Sequence, residues 1–248
     1  MQTNYQVIIV GAGPAGSVLA YELAARRIKV LVLERDVLPR YKCCAGGLTV
    51  KAAELLGMNT EGLVDDTISG AIVTFKGSNP YYGHYARPIM YTVMRENFDH
   101  VLMIRAQEAG ADILQGLEAR SIQVSSLGIE VSTARGSFQS EFVAGADGAR
   151  SRVSKAMAIA KHNAYIVGLE TEVRVTREEL ARWKSRIGID IGRLRGGYGW
   201  VFPKAAHLSV GVACPAEKAK GLTHIFREYL DSVRLGQHTI LRWAAGLV

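Results

Sequence analysis

Gly11-Ala12-Gly13-Pro14-Ala15-Gly16 follows directly on the apolar run Gln6–Val10. Glycines at this spacing can cradle a pyrophosphate. Gly11 permits a tight turn, Gly13 lets the backbone approach the phosphates, and Gly16 allows close helix–strand contact, with Ala15 inside the loop. Glu34, with Arg35 beside it, closes a second apolar run, where a carboxylate can accept hydrogen bonds from ribose hydroxyls. A third segment, Val143 to Val153, ends a strand in Gly-Ala-Asp-Gly and opens a polar, basic helix at Ser151. Asp147 and Gly148 read there as a capped turn or as ligand contacts. Tyr198, Trp200 and Phe202 alternate on one run. By default they are core residues; in a pocket, their faces could stabilise developing positive charge. The Cys44 thiol could donate a proton near neutral pH.

These residues need elements to hold them. The β-branched run Gln6–Val10, a helix to about Arg27 and a strand over Lys29–Glu34 make a βαβ unit with strands buried on both faces. Ala71–Phe75 and Tyr81–Tyr85 are expected as strands joined by a loop through Gly77-Ser78-Asn79-Pro80. Apolar residues at helical spacing predict a helix over Arg95–Ala109, stopped by Gly110. Short strands follow over 111–114, 119–124, 129–133 and 137–144, and a longer one over 166–175. Thr176-Arg177-Glu178-Glu179 has a capping-box pattern. Tyr198–Phe202 and Leu208–Ala213 are expected to pair. Leu222 to Val233 forms one apolar helix face.

Composition narrows the class. At 48% hydrophobic and 21% charged, the 248 residues have a globular balance, enough for one large domain or two small ones. No apolar run is long enough to span a membrane as a helix, and Met1–Asn4 carries no secretory pattern. Three cysteines, two adjacent, fit a reducing cytosol rather than a disulfide framework. Cys43 and Cys214 read as packing residues. Six histidines without ligand spacing give no metal site. Charge is uneven: residues 1–150 carry 14 basic and 15 acidic side chains, residues 151–248 carry 16 and 8. That excess is a solvated surface or an attraction to an anionic partner such as a diphosphate or acidic lipid headgroups. Nucleic acid is not expected, because the basic residues are scattered and no recognition motif accompanies them.

The segment around Asp147 also resembles the Asp-Gly fingerprint of flavoprotein hydroxylases. With a single G-x-G-x-x-G, FAD is favoured over NAD. Three further motifs sharpen the resemblance: Cys44-Ala45-Gly46-Gly47 as C-x-x-G, Arg95 to Leu102 as R-x-x-F-D-x-x-L, and Tyr198 to Pro203 as Y-x-W-x-F-P. From about residue 5 to 215 the chain resembles the geranylgeranyl reductase family of FAD enzymes. The resemblance implies an α/β (α+β elements) fold: a Rossmann-like FAD-binding domain with a parallel sheet (1–68 and 91–160) and an interleaved antiparallel β-sheet substrate domain (69–90 and 161–248). It implies FAD contacts at Ala15, Glu34, Cys44, Ala45, Gly47, Arg95 and Asp147, with Ala119 near the adenine through its backbone. It implies a prenyl pocket at Tyr198, Trp200 and Phe202, and catalytic roles for Cys44, Tyr198 and Trp200.

The activity so implied is reduction of isolated C=C bonds in a geranylgeranyl chain of a small molecule or lipid. Its electrons come from NAD(P)H or a ferredoxin-like protein, and its location is cytoplasmic or peripheral to the inner membrane face. A flavin monooxygenase or halogenase, or an inactive fragment, are the alternatives. Two departures stand out. Arg195 replaces the Pro that usually precedes the Tyr by three residues. The family's Gly-Asp segment that closes over the flavin is absent, so a carboxyl-terminal truncation is expected. The oligomeric state is left open.

Overall fold

A buried, near-continuous β-branched strand opens the fold. The computed structural model describes residues 4–126, 128–159 and 164–247. In chain order the elements are β1 (Asn4–Val10), α1 (Pro14–Ala24), β2 (Val30–Leu33), β3 (Gly47–Thr49), α2 (Val50–Leu55), β4 (Val64–Ile68), β5 (Gly70–Phe75) and β6 (Ser78–His84). There follow β7 (Met90–Val93), α3 (Arg95–Glu108), β8 (Asp112–Leu114), β9 (Ser121–Ser125), β10 (Gly128–Thr133), β11 (Gly136–Gly145) and α4 (Arg152–Ala156). The last are β12 (Ile166–Val175), α5 (Arg177–Trp183), β13 (Arg186–Ile191), β14 (Tyr198–Pro203), β15 (Leu208–Pro215), α6 (Leu222–Ser232) and β16 (His238–Leu247). Among the described residues no helix is long and apolar enough to cross a membrane. The chain divides into two compact units, Met1–Tyr41 with Glu96–Asn163, and Lys42–Arg95 with Ala164–Val248.

The first unit is built on a six-stranded sheet in the order β8-β2-β1-β11-β10-β9. β8, β2, β1 and β11 run parallel, and β10 and β9 complete an antiparallel meander. Both faces of the parallel part are covered, which explains its unbroken apolar runs. Ile9, Val30 and Val32 pack with Ala20 and Ala24 of α1 and Met103 and Ala106 of α3. Ile8, Val10, Leu31 and Leu33 pack with Leu117, Val131 and Val153. Pro14 stands in the first turn of α1, where its missing N–H costs no helical hydrogen bond.

The second unit has a seven-stranded sheet, β16-β12-β15-β14-β13-β5-β6, and a three-stranded one, β3-β7-β4. The large sheet is antiparallel except for β13 and β5. Val173, Val201, Val210 and Val212 face Phe226, Tyr229 and Leu230 of α6. On the other side Trp200 and Phe202 pack with Ile68, Met90 and Ala45. Alternation along β14 thus gives each face its own core.

Two expectations shift. Residues 42–68 and 91–95, assigned from the sequence to the FAD-binding part, fall in the second unit, where β3 and β4 pair with β7 and Ile68 and Met90 pack with Trp200 and Phe202. The expected boundary at 160/161 lies outside the described residues. The hairpin after β5 turns earlier than its Gly-Ser-Asn-Pro segment suggests. Lys76 and Gly77 both have positive φ and Phe75 pairs with Ser78, a two-residue turn whose twist suits a hairpin. Asn79 and Pro80 then belong to β6, an edge strand, where proline leaves no central ladder bond unmade.

Candidate functional site

In the first unit the three loop glycines separate by function. Gly11 has φ +101°, and a side chain there would run into the Ala146 carbonyl. A side chain on Gly16 would collide with the carbonyl of Gly11. Both are required by the packing of the loop itself. Gly13 differs: nothing lies within 4 Å of where its Cβ would stand. It is the N-cap of α1, and no side chain caps that end. The amides and dipole of the first turn, where Ala15 is exposed, therefore face an open space suited to an anion.

Glu34 closes the loop from the neighbouring strand. It is 5% exposed; its Oε2 accepts from the Ala12 amide at 2.6 Å and its Oε1 from the Asp36 amide at 2.9 Å. The carboxylate that the spacing reserves for a ribose thus also ties the glycine loop to the end of β2. Arg35 points to solvent beside Asp36, and Ala119 is buried ahead of β9.

Asp147 lies next to the same loop, its Cα 3.1 Å from the position a Gly11 Cβ would take. Its Oδ2 accepts from the Arg152 amide at 2.6 Å, and Ser151 Oγ accepts from the Ser154 amide at 3.0 Å. The capped turn read from the sequence is therefore present. The other oxygen, Oδ1, is buried with no hydrogen-bond partner, and such an atom calls for a ligand or water. Gly148 follows with φ +79°. The R-x-x-F-D segment contributes differently. Asp99 is fully buried and meets Arg40 at 2.8 Å, a link between two sequence motifs that holds the first unit together.

The second unit gathers Cys44, Ala45, Gly47, Tyr198, Trp200 and Phe202 on one face of the large sheet. A Cβ on Gly47 would stand 3.0 Å from the Phe202 ring. Trp200 and Tyr198 have ring centroids 6.0 Å apart. Trp200 and Phe202 are buried, whereas Tyr198 is 45% exposed. Burial first, and then the Cys44 sulfur, push the Tyr198 phenol upward, so the two side chains are neighbours. Arg95 opens α3 in the same unit.

Under the Cys44 loop lies a set of buried charges that motif reading does not single out. Glu170 Oε1 accepts from the Cys44 amide at 2.7 Å. Lys204 Nζ donates to Ala45 O at 2.8 Å and to Val93 O at 2.7 Å. His207 Nε2 meets Glu172 Oε2 at 2.9 Å, and Asp65 lies close enough to feel Lys204, His207 and Glu172. Burial pushes the Lys204 ammonium down and the Asp65 carboxyl up, against opposing pulls from their neighbours. Burial, then Glu170, pushes the Cys43 thiol well up, which keeps it protonated. A signal existed in the sequence. Two glutamates two apart in an apolar strand must share a buried face, and Lys204 continues the even-numbered alternation of Tyr198, Trp200 and Phe202.

An open helix N-terminus over Gly13, a closed acid at Glu34 and the unpartnered Asp147 oxygen fit a dinucleotide with a polar chain, as FAD has. This fold and site define a flavoprotein of two interleaved units. Residues 4–186 match the FAD binding domain family, and the chain belongs to it. It is similar to an uncharacterised protein of Methanosarcina barkeri, 29% identical over 94% of this chain and 59% of that one. It is likewise similar to digeranylgeranylglycerophospholipid reductase 1 of Methanopyrus kandleri, 29% identical over 88% of this chain and 60% of the relative. The chain thus spans about three-fifths of the length of these relatives. Its fold is that of a geranylgeranyl bacteriochlorophyll reductase-like protein from Thermoplasma acidophilum, with TM-score 0.86 at 20% identity, covering 99% of this chain and 66% of that one.

Proposed function

We propose that the protein takes part in an FAD-dependent reduction of isolated C=C bonds in a geranylgeranyl-type chain. The observation that carries this reading is the aromatic face of β14 beside the Cys44 loop, within a chain similar to a digeranylgeranylglycerophospholipid reductase. Bound and reduced, FAD supplies a hydride. Gly13, the first turn of α1 and Glu34 would hold its pyrophosphate and adenosine ribose, and Asp147 Oδ1 would accept from its hydroxyl-bearing chain. Cys44, Ala45, Gly47 and Arg95 are proposed to contact the flavin.

The chemistry asks for more than hydride. Hydride addition alone would leave an unstabilised carbanion on an isolated alkene, so protonation must lead and positive charge must develop at the tertiary carbon. Tyr198, half-exposed at the rim of the aromatic face, would offer its ring to that charge, an interaction of about 1–2 kcal/mol when desolvated. Trp200 and Phe202 shape the apolar floor beneath it and keep water out. The proton is assigned to the Cys44 sulfur: a thiol S–H gives its proton to the less substituted carbon and is later reprotonated from solvent. NAD(P)H or a ferredoxin-like protein would supply the electrons.

The experiment is anaerobic incubation of the purified chain with FAD, dithionite and a geranylgeranylated glycerophospholipid, read by mass spectrometry. A gain of two mass units per reduced bond is expected. Oxygen- or halide-dependent substitution of the substrate, without saturation, would overturn the reading.

A further inference from the structure

Lys204 is 2% exposed, a costly position for an ammonium group unless its charge is used or balanced. Its two closest acceptors are main-chain carbonyls, Ala45 O at 2.8 Å and Val93 O at 2.7 Å. The Ala45 carbonyl belongs to the peptide whose N–H is that of Gly46, and Gly46 N donates to Cys44 Sγ at 3.4 Å. Gly46 O in turn accepts from Val93 N at 2.9 Å. One peptide group therefore stands between the Lys204 charge and the Cys44 sulfur. Gly46 is fixed in this arrangement: its φ is +71°, and a side chain would strike the Val93 carbonyl and the Lys204 ammonium.

We propose that Lys204 is a positioning residue for Cys44, acting through the Ala45–Gly46 peptide, with Glu170 as its counterpart on the Cys44 amide. A cation on a carbonyl oxygen polarises the whole peptide and strengthens its N–H as a donor. The strengthened Gly46 N–H stabilises the negative charge left on sulfur when the proton departs. Glu170, 0% exposed and 2.7 Å from the Cys44 amide, opposes that charge while holding the loop. The groups facing Lys204 are Asp65, Glu172, Glu170 and Cys44, and His207 is bound to Glu172. Lys204 thereby ties Ala45 O of the loop to Val93 O at the end of β7, so the contact that tunes the sulfur also fixes where it stands. The inference rests on Cys44 as the proton donor, and it deepens that reading by naming what makes the proton leave.

The test needs neither flavin nor substrate. The full 248-residue chain is treated with iodoacetamide near neutral pH, and modification at each cysteine is followed by mass spectrometry. Cys214, 1% exposed, reports whether the fold is intact. The attacking species is the thiolate, whose sulfur displaces iodide. Lys204→Met should slow alkylation of Cys44 about tenfold, because the Gly46 N–H that faces the sulfur is then a weaker donor. Lys204→Arg should stay close to the parent chain, and Glu170→Gln should be faster. A clamp that only holds the loop shut would behave oppositely at Lys204, because releasing the loop exposes the sulfur. Lys204→Met equal to or faster than the parent chain, with Cys214 still protected, overturns the proposal. If Lys204→Met exposes Cys214, Lys204→Gln decides by the same criterion, since it is neutral but still donates to a carbonyl. A chain that shows this pattern yet saturates no prenyl chain would refute the proposed function and leave the Lys204 inference standing.

Discussion

Trp200 lies across Gly211 of the neighbouring strand so closely that a methyl group there would enter the indole ring. Its Nε1 donates to Ser209 Oγ at 3.4 Å, and its ring packs with Ile68, Ile187, Phe202 and Ala213. Trp200 is therefore first a core residue. Trp200→Ala should cost about 3–5 kcal/mol of stability, and Gly211→Val should be similarly disruptive by overfilling the same space. Urea unfolding of each variant measures this. A loss of under about 1 kcal/mol for Trp200→Ala would show that the indole is not part of the core.

Tyr198 shares the strand and the face but not the burial. With 45% of its surface exposed, Tyr198→Ala should cost far less than Trp200→Ala, close to the range of surface substitutions of about 0.5 kcal/mol. Under the proposed function it should instead change how many double bonds are reduced, or where. The product distribution by mass spectrometry, set beside the unfolding curve, is the measurement. Unchanged products from a stable variant would remove Tyr198 from the reaction.

The glycine loop offers a matched pair of substitutions. Gly13→Val places its side chain in open space, so the protein should fold and melt as before while flavin is lost from the purified chain. Gly11→Val forces a positive φ and a clash with Ala146 O, and should lower the melting temperature whether or not flavin is present. Flavin absorbance and thermal melts distinguish the two. Full flavin retention by a folded Gly13→Val would mean that the pyrophosphate lies elsewhere.

The legible parts were those in which one local rule acts alone. The strand Ile166–Val175, the loop after β1, the Ser151 cap and the pairing of β14 with β15 each follow from period, glycine spacing or capping chemistry. Short strands escaped because tertiary pairing forms them. Gly47–Thr49, Val64–Ile68 and Met90–Val93 have only three to five residues each and make sense only once they pair with one another. His238–Leu247 escaped because most of its residues are exposed, so it lacks the alternation that marks a half-buried strand. Lys204 and Glu170 were illegible as a pair. They are 34 positions apart and meet around a loop more than 120 residues earlier, and no spacing rule connects such partners.

Alkaline pH should loosen the first unit through Tyr5. Its phenol donates to Asp112 Oδ2 at 3.0 Å. Burial, then the Asp112 hydrogen bond and charge, push it from the ordinary 10.0 up to about 12. Because the folded value lies above the unfolded one, the phenol's contribution is complete below the ordinary value and is lost as pH rises through the window between the two. Tyr5→Phe should be less stable than the parent at neutral pH, and the gap should close across that window. Urea midpoints taken on either side of it provide the comparison, and a gap independent of pH would show that the phenol does not titrate with unfolding.

The two oxygens of Asp147 stand in different surroundings, and substitution can separate them. One oxygen caps α4 through the Arg152 amide, and the other is buried without a partner. Asp147→Asn keeps a carbonyl oxygen for the cap but removes the charge and half of the acceptor capacity. It should melt close to the parent and bind flavin more weakly. Asp147→Ala removes the cap as well, and should lose about 1 kcal/mol of stability in addition to the flavin. Titration of each variant with FAD, followed by flavin fluorescence and compared with its unfolding free energy, resolves the two contributions. If both variants bind flavin as tightly as the parent and differ only in stability, the unpartnered oxygen serves no ligand, and Asp147 is a helix cap alone.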